Sequence, residues 1–215
     1  IGSNAFNGDV ALTSLTIPGN VKTIGSYAFS GCANITSLTL NSGIESIDSY
    51  AFQSLKITTV TVPDSVTSIG QGAFKGCSSL VSISVPFVGA SRTASNYNAV
   101  FGYIFGYTTK QTSDTAYGYS SSSSTTFINK PYSSVSEATW QYSCTNYNYL
   151  SYSDSSKYRN TSYFYYIPTT LTTVTITDAT NIPTAAFNGC SNITSIVLND
   201  EVTTINSYAF QNCTK

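Results

Sequence analysis

The chain has 215 residues and a net charge of −1, and charged side chains make up only 9% of it, against about 25% in an ordinary globular domain. Such a length supports one domain with a substantial core. The charge gives no strong attraction to nucleic acid or to an anionic membrane. No apolar run approaches the roughly 20 residues of a membrane-spanning helix, and no secretory signal sequence is recognisable.

The dipeptide Ala-Phe recurs at a nearly constant interval. Its phenylalanines are 23, 23 and 22 residues apart in the first part of the chain and again 23 apart near the end. A fixed period between about 20 and 50 residues is typical of solenoid proteins. We therefore predict that these rings stack in one column, one per repeat. The rings are Phe6, Phe29, Phe52, Phe74, Phe187 and Phe210.

Each repeat also contains a short segment with the alternation of a β-strand. Apolar residues stand nine and eleven positions after the phenylalanine, as Leu38 and Leu40 do, with Thr39 between them. This alternation predicts a strand with one buried face. A second apolar pair follows, for example Val66 and Ile69. Stacking the repeats about 4.8 Å apart would join the strands into a parallel sheet over one continuous core.

The repeated pattern C-x-x-L-x-x-L-x-L-P-x-x-V-x-x-I-x-x-x-A-F resembles the BspA-like leucine-rich repeats. Its parts are found at residues 35–40, 66–74 and 77–80, and about six repeats follow it. The resemblance implies a right-handed leucine-rich-repeat solenoid, mainly of parallel β-structure with short helical or irregular turns. It also implies a protein of bacterial or protist cell surfaces, often an adhesive one.

We expect one continuous solenoid domain with an insert. Residues 1–85 and 171–215 are predicted to be regular repeats, and residues 86–170 a degenerate repeat ending in Ala99-Val100-Phe101 plus a Tyr/Ser-rich insert. Regular spacing resumes at about Pro168. The range 86–170 holds 14 of the 17 tyrosines and the single tryptophan. A long loop inside a compact fold is usually functional or disordered, and the aromatic content of this one argues against complete disorder. Because the chain lacks methionine and starts within a repeat, we expect it to be a fragment of a longer array.

Four of the five cysteines share one position of the repeat, three residues after the phenylalanine. They are Cys32, Cys77, Cys190 and Cys213, and the third repeat has Leu55 at this position. Exchange of Cys with Leu indicates a small buried hydrophobe, so we predict a core ladder. No disulfide is expected; Cys190 with Cys213 is the weaker alternative, because side chains in register point the same way. Cys144, in the insert, has no evident partner.

The sequence lacks the residues that most catalytic and metal sites need. Without histidine, Ser-His-Asp and Cys-His arrangements and most zinc sites are excluded, and no glycine-rich phosphate motif occurs. The adjacent Asp200 and Glu201 indicate a solvated turn. We therefore predict no enzymatic activity, no cofactor and no metal.

Four N-x-[ST] triplets could accept a glycan in a eukaryotic secretory pathway. Asn34 and Asn192 occupy the same position of the repeat, just before a buried isoleucine, and we expect both to be exposed. The triplets begin at Asn34, Asn160, Asn192 and Asn212.

The leading hypothesis is a non-enzymatic, surface-exposed protein-binding or adhesion module. The solenoid would be a rigid scaffold, and the insert, rich in Tyr, Ser and Asn, a contact surface of paratope-like composition. The candidate contact residues are Tyr103, Tyr107, Trp140, Tyr142, Tyr147, Tyr149 and Tyr163. The alternative for any of these aromatics, and above all for Phe101, Ile104 and Phe105, is packing of the insert onto the solenoid.

Two other functions stay open at the level of sequence. One is a structural spacer or self-associating stalk, and the other is a carbohydrate-binding module. Expected partners are a protein or glycan of a host or neighbouring cell surface and further repeats of the same chain, with no nucleic acid and no direct membrane insertion. The expected location is extracellular, at the cell surface, either as a secreted protein or with anchoring to the wall or membrane through segments outside this sequence.

Overall fold

Each repeat folds into one rung of a parallel β-solenoid. The computed structural model describes residues 1–116, 138–142, 146–149 and 157–215. A rung contributes a longer strand to a main sheet and, in most rungs, a two-residue strand to a second sheet. The main strands are β1 (Ser14–Ile17), β3 (Ser37–Leu40), β5 (Thr59–Thr61), β7 (Ser82–Val85), β12 (Thr173–Ile176) and β14 (Ser195–Leu198). The short strands are β2 (Thr23–Ile24), β4 (Ser46–Ile47), β6 (Ser68–Ile69), β13 (Asn181–Ile182) and β15 (Thr204–Ile205).

Equivalent positions of successive repeats pair in parallel register. Leu15 lies opposite Leu38, and Ile83 is flanked by Val60 and Val174. The inward residues of these strands are buried while outward Ser and Thr residues are exposed, as the alternation predicts. This pairing confirms the predicted parallel leucine-rich-repeat solenoid of about six rungs.

The main sheet is interrupted once in its first half. β1 and β3 form one hydrogen-bonded pair, and β5, β7, β12 and β14 form another sheet. The interruption falls at the repeat of 22 residues, whose strand β5 is only three residues long. Other contacts join the two rungs there, including the bonds from Lys56 N–H to the Ile35 carbonyl at 3.0 Å and from Phe29 N–H to the Ala51 carbonyl at 2.8 Å.

The phenylalanine rings stack along the solenoid axis. Ring centroids are 5.9 Å apart between Phe29 and Phe52 and 5.6 Å apart between Phe52 and Phe74. Phe187 and Phe210 continue the stack at 5.5 Å. The backbone repeats in the same way: the N–H groups of Phe6, Phe29, Phe52 and Phe187 donate to the carbonyl of the Ala-Phe alanine one rung ahead, at 2.8 Å for Phe52.

The insert leaves the solenoid between Phe101 and β12. β12 pairs directly with β7, so the solenoid continues across the insert. Phe101 N–H donates to Ala186 at 2.8 Å, as an Ala-Phe phenylalanine does, and its ring lies 5.0 Å from that of Phe187. Towards the preceding rung, however, this turn uses another residue. The Ile104 carbonyl, and not that of an Ala-Phe alanine, accepts the hydrogen bond from Phe74 N–H, at 2.9 Å. A 3-10 helix, Phe101–Phe105, therefore widens this turn and adds the fully buried Phe105 to the core.

The insert forms a separate antiparallel sheet. Its strands are β8 (Tyr107–Ala116), β9 (Ala138–Tyr142), β10 (Asn146–Tyr149) and β11 (Lys157–Pro168). β11 is central, with β8 on one side and with β10 and β9 arranged end to end on the other. The division of the chain at residues 85 and 170 stays a prediction.

The cysteines lie inside the solenoid beside the phenylalanine column. Cys32, Cys77 and Cys190 are fully buried, and Leu55 fills the same position. The Cys77 thiol donates to the Phe52 carbonyl oxygen at 3.2 Å, and the Cys32 thiol to that of Phe6 at 3.0 Å. The position therefore accepts a small apolar group, and a thiol adds a hydrogen bond that Leu55 lacks. The four described cysteines are free; Cys144 lies outside the described residues.

We expect the inner rings of the column to contribute far more stability than an outer one. Phe52→Ala removes a fully buried ring that stacks on both sides and should lower the free energy of unfolding by about 3–5 kcal/mol. Phe6→Ala removes a ring that is 43% exposed and should cost less than about half as much. Urea denaturation of both variants measures the difference; equal losses would contradict the stacked column.

Burial of the cysteine ladder makes stability fall at alkaline pH. Burial raises the pKa of the Cys77 thiol from 9.0 to about 12. Because the pKa of Cys77 is higher in the folded protein than in the unfolded chain, the protonated thiol contributes to the free energy of unfolding. This contribution is complete below the unfolded pKa and is lost as the pH rises towards the folded pKa. Between pH 8 and 10 the wild type should lose about 1.4 kcal/mol more unfolding free energy than Cys77→Ala. Chemical denaturation at both pH values tests this, and identical losses would refute it.

Candidate functional site

A small cavity of about 100 Å³ lies beside Arg92, whose guanidinium pairs with Asp178 and donates to the Asp64 carbonyl at 2.9 Å. Ligand pockets usually exceed about 300 Å³. Arg92 also lies over the Phe87 ring at 5.2 Å, so its visible contacts are structural ones that link the rungs on both sides of the insert.

The described cysteines and acidic residues do not form a nucleophilic site or a metal site. Burial raises the pKa of Cys32, Cys77, Cys190 and Cys213, and a thiol held protonated is a poor nucleophile. Within those ranges no group of three or more His, Cys, Asp or Glu residues is arranged to hold a metal ion.

One face of the insert sheet contains two buried residues. Tyr165 and Ile167 of β11 are fully buried. Because neighbouring residues of a strand belong to opposite faces, Tyr158, Phe164 and Tyr166 belong to the other face. We call this other face the aromatic face.

The strand registers assign four sequence-predicted residues to the aromatic face. Trp140 lies opposite Tyr166 and Tyr142 opposite Phe164; directly paired residues share a face. In the same way Tyr147 lies opposite Asn160, and Tyr149 opposite Tyr158. The four candidates Trp140, Tyr142, Tyr147 and Tyr149 thus come together on one face, although two strands carry them.

The remaining candidates are placed elsewhere. Tyr107 lies opposite Tyr165 and Tyr163 opposite Thr109, so both belong to the face that contains buried Tyr165. Tyr103 is half-buried and packs against the solenoid core. Whether any of these candidates binds a partner stays a prediction.

Several aromatic and apolar residues of the insert pack rather than face outward. Phe101, Ile104 and Phe105 are buried, which favours the packing alternative for these three. Sequence reasoning missed the burial of Tyr165, which resembles its tyrosine neighbours in sequence. Only the alternation along β11, anchored by the apolar Ile167 two residues later, could have indicated it.

The expectation that Asn192 is exposed is wrong. Asn192 is only 7% exposed, and its amide donates to the carbonyls of Leu171 at 2.6 Å and Pro168 at 2.9 Å. It therefore caps backbone carbonyls of the preceding rung and is no free glycan acceptor. Asn34 is exposed and donates to Val10 at 2.8 Å, and Asn212 is also exposed.

No helix within the described residues combines the length and apolarity needed to cross a bilayer.

Comparison with solved structures finds other leucine-rich repeat proteins. A leucine rich cell surface protein from Faecalibacterium prausnitzii is 21% identical, with a TM-score of 0.42, over 95% of this chain and 40% of that one. A Treponema pallidum leucine rich repeat protein is 19% identical, with a TM-score of 0.49, over 100% and 69%. One from Bacteroides ovatus is 18% identical, with a TM-score of 0.29, over 99% and 67%. The chain spans less than half the length of the F. prausnitzii protein.

A comparison with curated proteins gives no match. The family model of the BspA type leucine rich repeat region, in contrast, matches six copies over residues 1–99 and 110–215, which is nearly the whole sequence. The chain therefore belongs to the BspA-type leucine-rich repeat family, whose solenoids typically serve as non-enzymatic scaffolds for protein interactions.

Proposed function

We propose that the chain is the binding part of a cell-surface protein, with the solenoid as rigid scaffold and the aromatic face of the insert as the contact surface for a protein of another cell. The family supports a scaffold for protein contacts, and stacked repeats give the rigidity that holds such a surface in place.

One observation carries the proposal. The registers bring Trp140, Tyr142, Tyr147 and Tyr149 to the face opposite buried Tyr165. Trp and Tyr are enriched at the centres of protein interfaces, because they provide large amphipathic contacts with little conformational freedom to lose. Four such residues on one face of a small sheet form the type of patch that protein partners use.

The test compares two sets of substitutions in the same two strands. The aromatic-face variant combines Trp140→Thr, Tyr142→Thr, Tyr147→Thr and Tyr149→Thr; threonine keeps the strand propensity. The matched control combines Thr139→Ser, Gln141→Thr, Asn146→Thr and Asn148→Thr on the opposite face. The wild type is first applied to an array of purified extracellular proteins, and biolayer interferometry then measures the Kd of the strongest partner for all three proteins. We expect the aromatic-face variant to lose at least about a hundredfold in affinity and the control less than about threefold.

Three results would overturn the proposal. Equal affinity of the wild type and the aromatic-face variant would place the contact elsewhere on the chain. Binding to a glycan array with none to proteins would support a carbohydrate-binding module. Self-association in sedimentation experiments, without binding on either array, would support a stalk.

A further inference from the structure

A second aromatic feature lies on the repeats themselves, at a backbone position that disfavours it. The residue before the Ala-Phe dipeptide has a left-handed backbone, with φ of 58° at Tyr27, 60° at Tyr50 and 61° at Tyr208. Asn4, Gly72 and Ala185 hold the same position in other repeats, so the left-handed backbone belongs to the turn itself. Asn and Gly adopt this conformation most readily. A bulky residue at positive φ is an outlier of the kind that clusters at functional sites.

Two of these tyrosines and a lysine form a continuous group, which we call the tyrosine column: Tyr27, Tyr50 and Lys75. The Tyr27 and Tyr50 rings stack with centroids 4.9 Å apart and planes 15° apart. A Cβ at Gly72 would lie 2.7 Å from Cε1 of Tyr50, so the ring lies against the glycine backbone. The Lys75 Nζ lies 5.6 Å from the Tyr50 ring centroid.

This packing decides which groups of the column a partner can reach. Tyr27 covers one face of the Tyr50 ring and Gly72 the other, so Tyr50 has no open face on which a sugar could stack. Tyr27 nevertheless remains 39% exposed, and Tyr50 and Lys75 are partly exposed. Ring edges and hydroxyl groups are therefore the main points of contact.

The groups that remain available share one electrostatic character. The edge of an aromatic ring is the positive end of its quadrupole, a phenol hydroxyl donates a hydrogen bond, and the Lys75 ammonium is a cation. Burial, followed by the neighbouring Tyr27 hydroxyl, raises the pKa of Tyr50. Carboxylates are the strongest matching acceptors for such donors.

We propose that the tyrosine column is an interaction surface for an acidic polypeptide segment of a partner protein. It lies on the repeats, next to the base of the insert: Gly72 N–H donates to the Tyr103 carbonyl at 3.0 Å, and a Cβ at Gly106 would lie 3.3 Å from Cδ of Lys75. The surface does not depend on the aromatic face of the insert and can be tested with that face intact.

The test uses the full chain and a library of unstructured peptides rich in Asp and Glu. The same peptides with Asn and Gln in place of Asp and Glu are the controls for charge. Fluorescence anisotropy should show acidic peptides binding about tenfold or more tightly than their amide versions, with affinity falling as salt concentration rises. The double variant Tyr27→Asn/Tyr50→Asn and the single variant Lys75→Gln should each weaken binding about tenfold.

Asparagine is the chosen replacement because Asn4 already occupies this backbone position, so the variants should fold. Tyr208→Asn, at the same backbone position but in the last repeat and outside the tyrosine column, is the matched control and should leave the affinity unchanged. Equal binding of acidic and amide peptides, or unchanged affinity in the double variant with an intact circular dichroism spectrum, would overturn the proposal. Either result leaves the insert untouched, so it is distinguishable from failure of the aromatic-face experiment.

Discussion

The contact on which the structure depends is the one between a phenylalanine and its counterpart one rung away. The ring stacks, and the N–H of the same residue donates to the alanine carbonyl of the next rung, as in Phe52. One residue therefore both buries its apolar ring against the next rung and forms a backbone hydrogen bond to that same rung. A single rung has no partner for either interaction, so it cannot be stable alone, and stability grows by adding equivalent neighbours. The cysteine position reinforces the arrangement, because the Cys77 thiol donates to the Phe52 carbonyl.

An array held together by neighbour contacts tolerates a large insert at one place. The chain departs after Phe101, forms its own antiparallel sheet and returns to pair β12 with β7. The departure adds contacts, because the widened turn presents Ile104 to one neighbouring rung and Phe101 to the other. The insert thereby begins at the phenylalanine turn of the repeat, whose contacts to both neighbouring rungs are kept.

Features that repeat could be predicted from the sequence, and features that occur once could not. The period, the strands and the return at β12 follow from side-chain alternation within 23 residues. The burial of Asn192 could not be predicted, because the carbonyls that it caps belong to the preceding rung. Composition indicates a tyrosine-rich insert, but which tyrosines share a face depends on the register between strands such as β9 and β11, and long connections leave that register open.

The missing ladder between β3 and β5 divides the main sheet into two parts of unequal size, while the second sheet pairs β4 with β6 across the same boundary. In a linear array each boundary between rungs has its own coupling energy, and this boundary lacks the main-sheet bonds that the others contain. The first two rungs are therefore joined to the third through the short strands and the phenylalanine turn. The shortest repeat thus makes one boundary of the array depend on the second sheet for its strand pairing.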